Sequence, residues 1–145
     1  MIFRSAKPND LDGIEALLKK FKLPFQDCKA HLNNFIVIEE ENRIIGVIGA
    51  EIYQKIALLR SLAVDEKYRN QGLAKQLLSS LLAKLISHRT ESIYLITETA
   101  SQYFSKQGFV RIERSEVPDA IRKTKQFSEL CPGTAEVMTK SITES

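Results

Sequence analysis

The residues Arg69-Asn70-Gln71-Gly72-Leu73-Ala74 have the types and spacing to hold an anion. They open a leucine-rich segment whose apolar residues recur at 73, 77, 78, 81, 82, 85 and 86, the period of an amphipathic helix. A helix N-terminus carries backbone N–H groups without intrahelical partners and about half a positive charge. Gly72 has no Cβ, so a phosphate can approach the backbone there, while Gln71 adds donors and Arg69 adds charge. Glycine is a poor helix former, and a cation is misplaced at the positive end of the helix dipole. That opening makes sense with a phosphate present. The competing reading is that Gly72 relieves crowding and Arg69 is solvated. A nucleotide P-loop is excluded because no Gly-Lys-Ser/Thr ending follows, and no G-x-G-x-x-G fingerprint is present.

A second group of residues could handle a proton and a substrate charge. Glu51 interrupts the otherwise apolar run IIGVIGAEIY, and Arg60 lies in ALLRSLAV. A carboxylate in such a strand can accept an ammonium proton directly or through water; the alternative is a solvent-facing strand end. Arg60 can pair with a substrate carboxylate, or form an ion pair with Glu51 and do nothing more. Strand alternation puts Ser61 on the opposite side. His31 and His88 are the only histidines, and His88, near a helix C-terminus, reads as a surface residue. Cys28 and Cys131 are too far apart in sequence to suggest a chelate or a disulfide framework, and Cys131 reads as a small buried turn residue. No metal is expected. Arg122, Lys123 and Lys125 read as a solvated helix face.

Elements that place these residues follow in tight succession. Ile2 to Ser5 reads as a strand, and Pro8-Asn9-Asp10 opens a helix with apolar positions Leu11, Ile14, Leu17, Leu18 and Phe21, ended by Pro24. A short helix is expected over Gln26 to Leu32. Asn34 to Val64 reads as three antiparallel strands joined by two tight turns. Then come a helix from Arg69 to His88, a strand from Ser92 to Thr97, and a helix from Ala100 to Lys106 with a C-cap at Gly108. A strand over Phe109 to Ile112, a helix over Pro118 to Leu130 and a last strand from Ala135 to Lys140 complete the order. The fold class is α/β (α+β): a mixed, mostly antiparallel sheet with helices on both faces. The Arg69 helix starts beyond the carboxyl end of the strand closing at Val64, where open α/β sheets bind ligands.

Composition sets wider bounds. The 145 residues suit a single domain spanning 1–145, and 43% hydrophobic with 27% charged residues excludes disordered and disulfide-scaffold classes. The longest apolar run, Ile44 to Ala50, is far short of a membrane helix, and the N-terminus lacks a secretory h-region, so a cytoplasmic location and no membrane partner are expected. A net charge of +3 arises from intermixed charges, which gives no ground for a nucleic-acid partner and is compatible with an anionic small molecule. A homodimer is compatible with the same composition.

LRSLAVDEKYRNQGLAKQLL, Leu59 to Leu78, resembles the acetyl-CoA-binding core of the GNAT N-acetyltransferases, and Ala100, Phe104 and Gly108-Phe109 fall where that superfamily's second signature falls. ALLRSLAV, LITETASQYFSKQGF and the tail VPDAIRKTKQFSELCPGTAEVMTK resemble the small acetyltransferases named for arsenic-resistance operons. The acetyltransferase domain of N-acetylglutamate synthase is a more distant likeness. The resemblance implies the GNAT fold and direct transfer of an acetyl group from acetyl-CoA to a primary amine on a small, amino-acid-like substrate. It implies that backbone groups of Leu62, Ala63 and Val64 bind the pantetheine arm and acetyl oxygen, with the Val64 N–H as oxyanion donor. Arg69, Asn70, Gln71, Gly72, Leu73 and Ala74 would take the pyrophosphate, with Phe104 also lining the cofactor. Glu51 would be the general base, also contacting substrate together with Arg60. Leu58 stands where some of these enzymes carry a catalytic Glu. Phe104 occupies the position of a proton-donating Tyr and cannot donate, which leaves the adjacent Tyr103 or water to protonate the thiolate. Two other readings are a non-catalytic acyl-CoA-binding domain and an acetyltransferase of protein or peptide amines.

Overall fold

The structure, a computed structural model, describes residues 1–130 and 133–142, apart from the side chains of 129 and 130. The Cys131 turn lies outside the described residues. The strands are β1 (Ile2–Ser5), β2 (Phe35–Glu40), β3 (Arg43–Tyr53), β4 (Ile56–Val64), β5 (Ser92–Thr97), β6 (Val110–Ile112) and β7 (Glu136–Ser141). The α-helices are α1 (Leu11–Lys20), α2 (Leu73–Ser87), α3 (Ser101–Lys106) and α4 (Asp119–Arg122). Seven strands form one mixed sheet in the order β1-β2-β3-β4-β5-β7-β6. By its contacts the chain divides into two compact units, Met1–Glu51 with Leu59–Leu85, and Ile52–Leu58 with the chain from Ile86 onward.

In the first unit, β1 pairs antiparallel with β2, and β2 with β3, with a register shift between Ile38 and Glu39. Glu41 and Asn42 both have positive φ (49° and 62°), the geometry of a two-residue turn whose twist matches the flanking strands. The period of two sends alternate residues to opposite faces. Phe35 and Val37 of β2, with Val47 of β3, cluster with Ile14, Leu17 and Leu18 of α1. On the other face Ile38 and Gly46 are register partners, and a Cβ on Gly46 would lie 3.4 Å from Leu77 of α2. The two helices therefore cover opposite faces of this part of the sheet. Helix α1 ends before Pro24: Lys22 already has φ 58°, and the Leu23 N–H donates to the Leu18 carbonyl at 2.9 Å. The expected helix at 26–32 is a 3-10 segment, Cys28–Asn34.

The second unit contains a parallel ladder, Ile56↔Ser92 through Leu58↔Tyr94, and antiparallel pairings of β5 with β7 and of β7 with β6. Leu58, Val117, Ile121 and Val137 form its core, with Tyr53, Tyr94 and Phe127 packed against them. Helix α3 ends as expected at Gly108, φ 93°, where the Phe109 N–H donates to the Phe104 carbonyl and the Gly108 N–H to that of Ser105, a Schellman closure. The single helix expected over 118–130 is broken in two. The buried Thr124 Oγ1 donates to the Ile121 carbonyl at 2.7 Å and accepts from the Phe127 N–H at 3.2 Å, and a π-helical turn Gln126–Leu130 follows. Such side-chain bonds compete with the regular helical ladder. Arg122 is not merely a solvated face residue: it donates to the Val117, Arg114 and Ser115 carbonyls.

Candidate active site

The first helical turn expected over Arg69-Asn70-Gln71-Gly72 is instead a loop, and α2 begins at Leu73. Asn70 and Gly72 have φ 64° and 75°, a left-handed conformation incompatible with an α-helix. Space does not explain the glycine, since a Cβ added at Gly72 would meet nothing within 4 Å. Conformation does: Gly72 takes φ 75° without the cost a side chain would bear. The loop is anchored at its base. The buried Asp65 accepts from the Lys67 N–H at 3.0 Å and pairs with Arg43 at 3.6 Å, while its own N–H donates to the Ile45 carbonyl at 2.7 Å. Arg69 Nε donates to the Val64 carbonyl at 3.1 Å, and its guanidinium lies 4.5 Å from the Phe21 ring centroid. Residues 69–72 are exposed. They form an exposed loop that leads into the start of α2, where backbone N–H groups lack intrahelical partners and favour an anion.

Upstream of this loop, Ser61 interrupts β4 with φ 62°. A positive φ inside a strand turns the chain as a bulge does and breaks the alternation of side chains. The expectation that Ser61 faces away from Arg60 is therefore corrected: Arg60 Nε donates to Ser61 Oγ at 3.1 Å.

Arg60 itself joins two acids. Nη1 donates to Glu51 Oε2 at 2.8 Å and Nη2 to Asp27 Oδ1 at 2.5 Å, with side-chain exposures of 0% for Arg60, 1% for Glu51 and 6% for Asp27. Of the two readings of Arg60, the ion pair with Glu51 is the arrangement present, and Glu51 is buried rather than solvent-facing. Burial alone would raise the Asp27 carboxyl, but the hydrogen bond and charge of Arg60 outweigh it and hold that carboxyl below its ordinary range. Burial likewise opposes the Arg60 charge, and the Asp27 bond overcomes it. The guanidinium sits 5.8 Å from the Phe35 ring centroid and 3.7 Å from Cys28 Sγ, whose thiol burial pushes up. His31 Nε2 stands 3.4 Å from Glu51 Oε1.

Sequence reading missed the parts of Asp27 and His31. Asp27 precedes and His31 lies in the 3-10 segment Cys28–Asn34, 24 and 20 residues before Glu51 with no motif around them; the only signal is an acid and an imidazole beside a Cys. One ligand atom each from Asp27, His31 and Glu51 lies within 4.8 Å of the others, but the cation neutralising the two acids is the Arg60 guanidinium.

A family model for the acetyltransferase (GNAT) domain matches residues 31–111, more than half of the chain. The chain belongs to the GNAT N-acetyltransferase family. Among its relatives, the uncharacterized protein YwlB of Bacillus subtilis is 30% identical, over 87% of this chain and 86% of its own length. The uncharacterized N-acetyltransferase CT2212 of Chlorobaculum tepidum is 30% identical, over 81% of each. In fold the GNAT chain resembles the N-acetylglutamate synthase of Neisseria gonorrhoeae, solved with coenzyme A and N-acetyl-glutamate, at TM-score 0.85 and 16% identity. That likeness covers 99% of this chain and 35% of the synthase chain.

The family's acetyl transfer uses acetyl-CoA as co-substrate, and the exposed Gly72 loop at the start of α2 offers backbone N–H groups of the kind an anion takes. In this GNAT chain Leu58 is a fully buried core residue of the second unit. Phe104 is buried too, edge-on to both Tyr103 and Phe109. The Tyr103 hydroxyl is buried with no hydrogen-bond partner among the described residues, and burial raises its pKa, so it keeps its proton at neutral pH. An orphaned buried donor of this kind asks for an acceptor that the described residues do not supply. No helix among the described residues is long and apolar enough to cross a membrane.

Proposed function

We propose that the protein transfers the acetyl group of acetyl-CoA to the primary amine of a small, amino-acid-like substrate. The observation that carries this is the exposed left-handed loop Asn70–Gly72 between a kinked β4 and the start of α2. Backbone N–H groups from Asn70 to Ala74 hold the pyrophosphate, with Arg69 adding charge. Leu62, Ala63 and Val64 present backbone groups to the pantetheine arm, and the Val64 N–H stabilises the carbonyl oxygen as it takes on charge. Because the φ 62° kink at Ser61 turns the chain just before them, β4 offers these groups to a ligand.

Bound acetyl-CoA supplies an activated carbonyl. The chain's own work is to place the amine, take its proton and accommodate the thiolate. Glu51 is the negative centre of the base, fixed by Arg60, and Arg60 acts on the reaction through Glu51. The amino-acid character of the substrate is supported by the N-acetyl-glutamate held in the Neisseria synthase, of which this chain corresponds to 35%. A net negative cluster, two acids against Arg60, favours an ammonium beside it.

The test is thiol release from acetyl-CoA across a panel of amino acids and simple amines. Release with an amino-acid amine is expected; coenzyme A binding without turnover on any amine would favour a non-catalytic acyl-CoA-binding domain. Gly72→Glu sharpens the cofactor part. A side chain at φ 75° costs roughly 1–2 kcal/mol of stability, and its charge opposes phosphate. Coenzyme A affinity should fall at least about 100-fold, equivalent to about 2.8 kcal/mol, in a still folded protein. Gly72→Ala, which carries the backbone strain alone, should lose far less.

A further inference from the structure

Glu51 is poorly placed to meet a substrate by itself. Its side chain is 1% exposed; Oε2 is held by Arg60, and Oε1 faces His31 Nε2 at 3.4 Å. Among Asp27, Glu51, Arg60 and His31, only the His31 side chain reaches solvent appreciably, at 26% exposure. We propose that His31 is the catalytic base that touches the substrate amine, and that Glu51, Arg60 and Asp27 are positioning residues acting through it; this rests on the acetyltransferase reading above.

The chemistry follows from the contacts. Glu51 Oε1 is an acceptor, so the neutral ring presents its Nε2–H to the carboxylate and leaves the Nδ1 lone pair to take a proton. Arg60 contributes one positive charge and Asp27 and Glu51 two negative ones, so a protonated imidazole completes a neutral cluster. The carboxylate orients the ring, as the acid of a catalytic triad does. Of the three protons on the substrate ammonium, one passes to His31 Nδ1. The freed amine attacks the thioester carbonyl, the N–C bond forms, and the C–S bond breaks with its electron pair going to sulfur. A second nitrogen proton ends on the thiolate, and the third stays on the amide. The titratable and charged groups of the surrounding elements are Asp27 and the Cys28 thiol on His31's own segment, Arg60 on β4 and Glu51 on β3. Glu15 of α1 acts on Cys28.

The experiment is a pH–rate profile for thiol release by the wild type, His31→Gln and His31→Ala. His31→Gln should lower kcat about 100-fold or more near neutral pH, leave KM for acetyl-CoA within about twofold, and abolish the acid limb of the profile. Added imidazole should restore activity to His31→Ala, because the removed ring leaves room for it beside Glu51. A merely structural His31 would give neither the lost limb nor the rescue. Retention of both rate and limb in His31→Gln, alongside an active wild type, overturns the assignment. A wild type that releases no thiol with any amine overturns the acetyltransferase reading and this one with it.

Discussion

Two arginines in this protein each hold two carboxylates, and they do different work. Arg4 of β1 donates through Nη1 and Nη2 to Asp10 at 2.7 and 2.9 Å and through Nε to Glu39 at 2.9 Å, with its side chain 21% exposed. Arg60 of β4 shares its bonds differently, with Nη1 on Glu51, Nη2 on Asp27 and Nε on the Ser61 hydroxyl, at 0% side-chain exposure. The outer cluster is explained by local structure: Asp10 also accepts from the Lys7 N–H at 2.7 Å and so ties the entry of the first helix to β1. The inner cluster joins β3 and β4 to the segment holding Asp27 and His31 through a guanidinium wholly out of water. Buried ion pairs are weak sources of stability, because desolvation offsets much of their attraction. Its one member at the surface is His31, and that is where the chemistry is assigned. The two arginines thus differ both in depth and in how their bonds are divided between the acids.

Breaking each arginine gives the widest contrast. Arg60→Met leaves Asp27 and Glu51 buried side by side without a cation, and should cost about 3–5 kcal/mol, measured by denaturant unfolding at neutral pH. The loss should lessen on acidification as one of the acids takes up a proton. Arg4→Met should cost less, because Arg4 itself and Glu39 are partly open to water and only Asp10 is buried. Similar losses for the two would erase the distinction.

Acid sharpens the same contrast more gently. The folded Asp27 carboxyl is held below its ordinary range by Arg60 against burial, and that of Asp10 by its Arg4 bonds against a smaller desolvation. A depressed carboxyl contributes stability that is present above its unfolded value, about 4, and is lost as pH falls through its folded value. Asp27→Asn and Asp10→Asn should each flatten the loss of stability below about pH 4. In Asp10→Asn the salt sensitivity should also drop, since the outer cluster is screened. A fall of stability on acidification that neither variant changes would contradict the origin given for both shifts.

Much of the fold was legible because periodicity reports burial. The three-strand run to Val64, the Leu73 repeat and the Gly108 cap all appear where the pattern of apolar residues and glycine places them. Helices on both faces followed from alternation in β2 and β3. Where side chains bond locally to backbone, the pattern failed: Thr124 splits a helix whose apolar spacing looked continuous. The RNQG segment reads as the first turn of the helix because it directly precedes the apolar repeat, and only the left-handed angles at Asn70 and Gly72 reveal a loop. The pairing of Glu51 with Arg60 was foreseen as one of two readings. Asp27 and His31 were not, since their meeting with Glu51 depends on how the segment holding them folds back. No spacing in sequence encodes that approach. The Ser61 kink, which sets Arg60 and Ser61 on one side, is equally invisible to a rule of alternation.

The inner cluster's role in acetyl transfer is the central claim, and Glu51→Gln tests it most directly. Gln preserves shape and removes the charge that orients the base. With coenzyme A affinity measured by calorimetry and turnover by thiol release, kcat near neutral pH should fall about 100-fold while coenzyme A affinity changes less than about twofold. Unchanged turnover in a folded Glu51→Gln protein would contradict the account.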